Sequence, residues 1–330
     1  MICFFDLEGP LCPIDHAADV IEIIGKKLGR EQDFYQLFKM ISDYDDELFL
    51  VDKKENYWPG DTLKLIAPIV ISYADEEEMI ELSKKAELTE GAIELFDYLH
   101  EKDIPTYIIS TSYTQHAHTI AEKLKHPLEN VRCTKLDFSL KPENTDILNK
   151  LFDDIFPRFL KDGLTAVKKD LDKYFFKEIP KSAFGPVFES TIVCGGGRKK
   201  SNVIDILQEY SCEPDEAFAV GDSITDIQML DFIRKNGGTA ISFNGNIHSL
   251  TPASIAYSGK SILPLKKLIE VFPETKEFIS SFTEEEKQNM IKSEENFHLV
   301  EGLLEEEFDI LLKLQKKYRN LLREKAAQLT

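Results

Sequence analysis

Short apolar runs recur along the chain, each ending in polar residues: ICFF at 2–5, PTYIIS at 105–110, EAFAV at 216–220 and TAISF at 239–243. Runs this short and this apolar are the signature of strands buried on both faces, and the helical patterns between them supply the crossovers that parallel strands require. In EGAIELFDYLHEKD the residues Ala92, Leu95, Phe96 and Leu99 share a helix face, and in YTQHAHTIAEKL the residues Ala117, Ile120, Ala121 and Leu124 do the same. A third stripe, Val203, Ile206, Leu207 and Tyr210, follows Ser201, which reads as its N-cap. NVRCTKLDF adds a short strand, and Gly237-Gly238 ends the helix before TAISF. The alternation predicts an α/β fold with a doubly wound parallel sheet, whose ligands lie beyond the C-terminal ends of the strands.

Two helical stretches interrupt that alternation. Residues 13–89 read as a helical cap and 139–190 as a second helical insertion, leaving 1–12, 90–138 and 191–265 as the α/β core and 266–330 as a C-terminal helical segment. In that last segment Phe297, Val300, Leu304, Leu311, Leu314, Tyr318 and Leu321 form one long predicted helical stripe. Such a stripe must be covered, by the chain's own core first, or by a second copy in a homodimer or another protein partner.

With 330 residues, 42% of them hydrophobic, the chain has enough apolar surface for a sizeable core. A formal net charge of -19 and a pI near 4.9 argue against a nucleic-acid partner, which needs clustered Lys and Arg. No apolar run reaches the length of a membrane span, and an acidic residue after only four apolar positions does not suit a signal peptide, so a cytoplasmic location is expected. The five scattered cysteines, without a C-x-x-C pair, read as reduced, space-filling thiols. His116 and His118, two apart on a predicted helix with no third ligand in view, are expected at the surface. The segment GGGRKKS lacks the glycine that must precede Lys-Ser in a phosphate-binding P-loop.

The strand ends carry the chemistry. Asp6 and Glu8 leave the first strand one residue apart, on the same side, with Leu7 buried between them. Ser110, followed by Thr111 and Ser112, ends the second strand. Lys200 lies in GGGRKKSNVI just before a helix, with Lys199 as its rival, and Asp222 and Asp226 follow the fourth strand in GDSITD. Asn244 in SFNGN either approaches this site or shapes a turn. Singly, each has an ordinary structural reading as a cap or a solvated charge. Together they converge on one edge of one sheet.

In this order the residues resemble the four motifs of the haloacid-dehalogenase-superfamily phosphatases: Asp6 with Glu8, Ser110, Lys200, and Asp222 with Asp226. The first motif usually reads D-x-D. The D-L-E-G found here resembles the branch that contains phosphoserine phosphatase and the phosphoserine:homoserine phosphotransferase. More loosely, the whole chain resembles archaeal predicted hydrolases of the superfamily, some filed as accessory subunits of an energy-converting hydrogenase. The resemblance implies an aspartyl-phosphate on Asp6, with Glu8 as general acid and base. Mg²⁺ would be held by Asp6, the backbone carbonyl of Glu8 and Asp222, with Asp226 binding it directly or orienting its water.

Ser110 and Thr111 would bind the phosphoryl group and Lys200 would neutralise its developing charge. Asp15, nine residues beyond Asp6, would read a substrate amino group or else cap the first helix. The cation answers a physical need: a carboxylate approaching a phosphate at 4 Å meets a repulsion of roughly 4 kcal/mol at an effective dielectric of about 20. The function so implied is a Mg²⁺-dependent phosphomonoester hydrolase or phosphotransferase acting on a small phosphorylated metabolite. The alternative is a catalytically weak accessory protein of a redox complex.

Overall fold

The computed structural model describes residues 1–323, apart from the side chains of residues 287 and 291. Seven strands form one sheet: β1 (Ile2–Phe5), β2 (Thr106–Tyr113), β3 (Val131–Thr134), β4 (Ala217–Gly221), β5 (Thr239–Phe243), β6 (Ile255–Ser258) and β7 (Asn296–Leu299). Their order is β3-β2-β1-β4-β5-β6-β7; all neighbours are parallel except β7, which runs antiparallel to β6. The period of two sorts β1 between layers. Ile2 and Phe4 pack with Val203, Ile206 and Met229 on one face, whereas Cys3 and Phe5 pack with Leu95, Phe96 and Ile120 on the other. β1 lies between β2 and β4, where the chain order reverses, and such a switch point opens a crevice at the strands' C-terminal ends.

The structure departs from the sequence expectations in three places. β2 continues past Ser110 to Tyr113, which pairs with Thr134 beyond a local irregularity, so Ser110 lies inside the strand. The helix expected to start after Ser201 already runs from Gly197 to Glu209, and the Ser201 hydroxyl donates back to Gly197 O at 3.1 Å instead of capping. The long C-terminal stripe is broken. Asn296–Leu299 forms β7, because the free edge of β6 offers its unpaired backbone groups, and Gly302 at φ +84° turns the chain into the helix Glu305–Leu322. Leu311 and Tyr318 are buried, whereas Leu304 and Leu321 face solvent. Residues 324–330 of the expected segment lie outside the described residues.

The two insertions share one apolar interior. Phe34, Tyr44 and Leu65 of the first pack with Leu151, Phe175 and Phe184 of the second, and the rings of Phe34 and Phe152 and of Tyr44 and Phe175 meet across the junction. The Tyr44 hydroxyl donates to Asp172 at 2.6 Å. Helices His16–Lys27 and Glu31–Asp46 are too polar on one face and too apolar on the other to stand alone, and residues 147–190 cover that second face. All five cysteines are free. Among the described residues no helix is long and apolar enough to cross a membrane.

Candidate active site

Asp6 follows β1 directly and is almost fully buried; its Oδ1 accepts Leu7 N at 2.8 Å and the ammonium of Lys199 at 2.7 Å. The same ammonium reaches Asp226 Oδ1 at 2.7 Å, and Asp226 Oδ2 accepts the backbone N–H groups of Asp222 and Ser223 at 3.0 and 3.1 Å. Asp226 thereby shapes the loop after β4 and spends both oxygens on protein donors. Burial works against the Lys199 charge, but the carboxylates of Asp226 and Asp6 outweigh it and hold its pKa above the ordinary value. Asp6 is shifted upward by burial and by the charge of Asp226, only partly offset by Lys199.

The expectation for Lys200 is corrected by this geometry. Its ammonium lies over the Phe232 ring, 5.6 Å from the centroid, and the fully buried Lys199 takes the place assigned to it. Adjacent helix residues point about 100° apart, so only one of two neighbouring lysines faces the site. Lys199 continues the buried row of Val203 and Ile206 at i, i+4 and i+7, a signal lost when the helix start is placed at Ser201.

Glu8 lies beside the Ser112 hydroxyl, which donates to its Oε1 at 2.7 Å, and the same oxygen accepts His16 N at 3.3 Å. Burial first, then the charge of Asp15, pushes the Glu8 carboxyl up to about 7, with the Ser112 hydrogen bond opposing. Ser110 is buried and its Oγ accepts Ser112 N at 3.1 Å, so it is engaged within the strand. Thr111 Oγ1 is buried without a partner and lines the cavity described below. Asp15 accepts Ala18 N at 3.0 Å, capping the helix His16–Lys27, and lines the same cavity. Asn244 exchanges hydrogen bonds with Gly259, at 2.7 Å from Nδ2 and 3.1 Å to Oδ1, which makes it a turn residue.

The site's own donors fit a divalent cation. Oxygen atoms of Asp6, Asp222 and Asp226 lie within 4.8 Å of one another, all buried. At an effective dielectric of about 20, each pair of such charges repels by roughly 3 kcal/mol. Asp222 Oδ1 is buried and has no hydrogen-bond partner, a costly state for a carboxylate oxygen unless a cation meets it. An all-oxygen set with one orphaned carboxylate atom suits a hard cation such as Mg²⁺.

A cavity of about 340 Å³ lies over these residues, between Asp6, Glu8 and Thr111 of the core and Phe38, Asp43 and Asp46 of the cap. The cap is seated by the loop at 58–61. Arg198 pairs with the buried Asp61 at 2.6 Å, and a Cβ at Gly195 would lie 2.3 Å from Pro59 O. A Cβ at Gly197 would lie 2.6 Å from the Trp58 ring. The glycine run therefore admits the cap loop rather than a phosphate.

The expectation for His116 is also corrected: it is fully buried, because Ser83 of the cap and His16 enclose it. The rings of His16 and His116 stack at 4.3 Å, and the Ser83 hydroxyl lies 3.0 Å from a nitrogen of each. Burial pushes His16 down to about 4, whereas an ordinary histidine titrates near 6.5. Between those values the unfolded chain binds a proton that the folded one refuses, so stability is lost as pH falls through this window. His16→Gln is expected to lose about 2 kcal/mol less stability than wild type on going from about pH 7.5 to about pH 5. Urea unfolding at both pH values checks this; equal losses in the two proteins would contradict it.

Sequence reasoning named Ser112 without its role beside Glu8, and missed Arg319 and Arg323 altogether. The two arginines come from the C-terminal helix and its end, and both reach Asp222 Oδ2, Arg323 at 3.1 Å. Leu311, Gln315, Tyr318 and Arg319 share one buried face, so buried polar residues on an apolar stripe were the available signal.

Comparison with known proteins follows the same lines. A family model described as haloacid dehalogenase-like hydrolase matches residues 65–242, which include Ser110, Lys199, Asp222 and Asp226. A gene product of Archaeoglobus fulgidus is 25% identical in sequence and superimposes with a TM-score of 0.82, covering 99% of this chain and 98% of that one. A phosphoserine phosphatase, solved as an analogue of its phospho-aspartyl intermediate, is 17% identical with a TM-score of 0.50, covering 81% of this chain and 97% of that one, a likeness of fold. No curated protein matches the sequence. Strand order, the meeting of Asp6, Lys199, Asp222 and Asp226 at one sheet edge and the family match together lead to one conclusion: the chain belongs to the haloacid dehalogenase-like hydrolases.

Proposed function

We propose that the chain is a phosphomonoester hydrolase that forms an aspartyl-phosphate on Asp6, uses Mg²⁺ and acts on a small phosphorylated metabolite. The observation that carries this reading is the shared Lys199 bridge between Asp6 and Asp226, beside the orphaned Oδ1 of Asp222. Asp6 Oδ1 is held by two donors, which fixes the carboxylate and leaves Oδ2 for attack on phosphorus. As the new O–P bond forms and the ester P–O bond breaks, Glu8 donates its proton to the leaving oxygen; a carboxyl raised to about 7 is protonated in about half of the molecules at neutral pH, which suits a group that must act first as acid and then as base.

In the second step Glu8 takes a proton from water, water oxygen bonds to phosphorus, and Asp6 is released with inorganic phosphate. An alcohol in place of water would make the same chemistry a phosphotransfer. Lys199 stabilises charge on the transferring group, and Thr111 Oγ1, unpaired and in the cavity lining, donates to a phosphoryl oxygen. Asp6, the carbonyl of Glu8 and Asp222 would hold Mg²⁺, whose charge lowers the cost of bringing a phosphate dianion to these carboxylates.

The cavity of about 340 Å³, walled on one side by the cap, favours a small ester. A screen of phosphorylated metabolites with Mg²⁺ tests the reading. Turnover of small esters that stops on chelation is expected; turnover that survives chelation, or is confined to intact phosphoproteins, would contradict it. Asp15 faces the same cavity, and Asp15→Asn keeps the helix cap while removing the charge. The variant is expected to raise KM about tenfold for an amine-bearing substrate and to leave para-nitrophenyl phosphate within about twofold. Equal change on both substrates would make Asp15 a capping residue only.

A further inference from the structure

The C-terminal helix Glu305–Leu322 touches the core with one face, and that face is unusually polar where it nears the site. Gln315 is fully buried: its Nε2 donates to Tyr257 O at 2.8 Å and Ser258 Oγ at 2.7 Å, and its Oε1 accepts Gly245 N at 2.5 Å. One turn later Arg319 Nη1 donates to Asp222 O at 3.0 Å and to Asp222 Oδ2, and Arg323 Nη2 lies 3.1 Å from the same oxygen. Both arginines are more than nine-tenths buried. Gly9 accommodates them: at φ +106°, a Cβ there would lie 2.4 Å from Asp222 Oδ2 and 2.6 Å from Arg323 Nη2. The loop after the nucleophile strand, the loop after β4 and the C-terminal helix therefore meet at one carboxylate oxygen.

We propose that Arg319 and Arg323 are positioning residues that hold Asp222 by Oδ2, turn its free Oδ1 toward Asp6, and by their charge weaken the binding of a divalent cation at the acidic centre. The inference rests on the reading that this centre takes such a cation. Of the three clustered carboxylates, Asp6 and Asp226 share Lys199 as counter-charge, and Asp222 is matched instead by the two guanidinium groups. This arrangement keeps the centre assembled without a metal, since each buried acid already faces a cation. It also sets two positive charges close to the place a metal would occupy, and unit charges separated by a few ångströms in a buried site repel strongly enough to shift a binding constant by about tenfold.

Mn²⁺ serves as the probe, titrated into the full-length protein without substrate and followed by calorimetry and electron paramagnetic resonance. Arg319→Gln is expected to bind Mn²⁺ roughly tenfold more tightly than wild type at unchanged stoichiometry, and Arg323→Gln several-fold more tightly. Arg319→Lys, which keeps the charge, is expected to stay within about threefold of wild type. Should Arg319→Gln fail to fold, Arg323→Gln, altered just past the helix end, carries the test. Unchanged or weaker Mn²⁺ binding in the folded glutamine variants would overturn the proposal while Asp222→Asn still abolishes binding. Absence of binding in wild type would overturn the cation reading on which it stands.

Discussion

Asp6→Asn is expected to lower turnover of any accepted phosphate ester by at least about 10³-fold while leaving the protein folded and no less stable. The loss follows from chemistry: an amide cannot form the acyl-phosphate bond, and no other carboxylate at the end of β1 has the same approach. The stability follows from electrostatics. Burial and the charges of Asp226 and Asp222 disfavour the ionised Asp6, so a neutral isostere relieves repulsion even as it gives up the Lys199 bond. Steady-state assays paired with thermal melts check both halves. Turnover within about tenfold of wild type in folded Asp6→Asn protein would remove the covalent mechanism.

The second large effect separates two adjacent lysines. Lys199→Met leaves Asp6 and Asp226 facing each other with no ammonium between them, in a place where an uncompensated buried charge costs about 3–5 kcal/mol. A drop in turnover of roughly 10²–10³-fold and a clear fall in melting temperature are expected together. Lys200→Met removes a cation stacked on Phe232 at the protein surface side of the helix, and turnover should stay within about twofold. The reverse ranking, with Lys200 the sensitive position, would mean that the first turn of the helix Gly197–Glu209 is wrongly phased.

That phasing shows where the sequence was legible and where it was not. Strands β1, β2, β4 and β5 and the helices at 92–101 and 114–123 can be read directly, because each buries an unbroken apolar set that obeys one period. The helix 197–209 is obscured at its start, because its first turn carries three charged residues, Arg198, Lys199 and Lys200, of which only Lys199 is fully buried. A buried charge has no periodic signature of its own; it emerges only when the apolar row behind it is extended backward. β7 and His116 escaped for a related reason. Asn296–Leu299 becomes a strand because an edge is vacant beside it, and His116 is buried because Ser83 and His16 arrive from elsewhere in the chain.

The candidate site divides in the same way. Asp6, Glu8, Asp222 and Asp226 sit at strand ends and are positioned by local geometry, so their convergence can be inferred from strand order alone. Arg319 and Arg323 reach Asp222 across about a hundred positions of sequence, from a helix whose apolar stripe predicts burial but not the surface that covers it. The polar residues on that stripe mark a buried face, but they do not say which group it meets. That contact depends on where β6 and β7 leave the last helix, and hence on the finished sheet.

The most direct measurement is identification of the phosphorylated residue. Wild-type protein turning over a small phosphate ester with Mg²⁺, quenched in acid and digested, should yield one phosphoryl group on the peptide that carries Asp6, labile to hydroxylamine and absent from Asp6→Asn. A catalytically competent protein whose quenched peptides carry no phosphoryl group, or carry it on Thr111, Ser112 or any residue other than Asp6, would contradict the account.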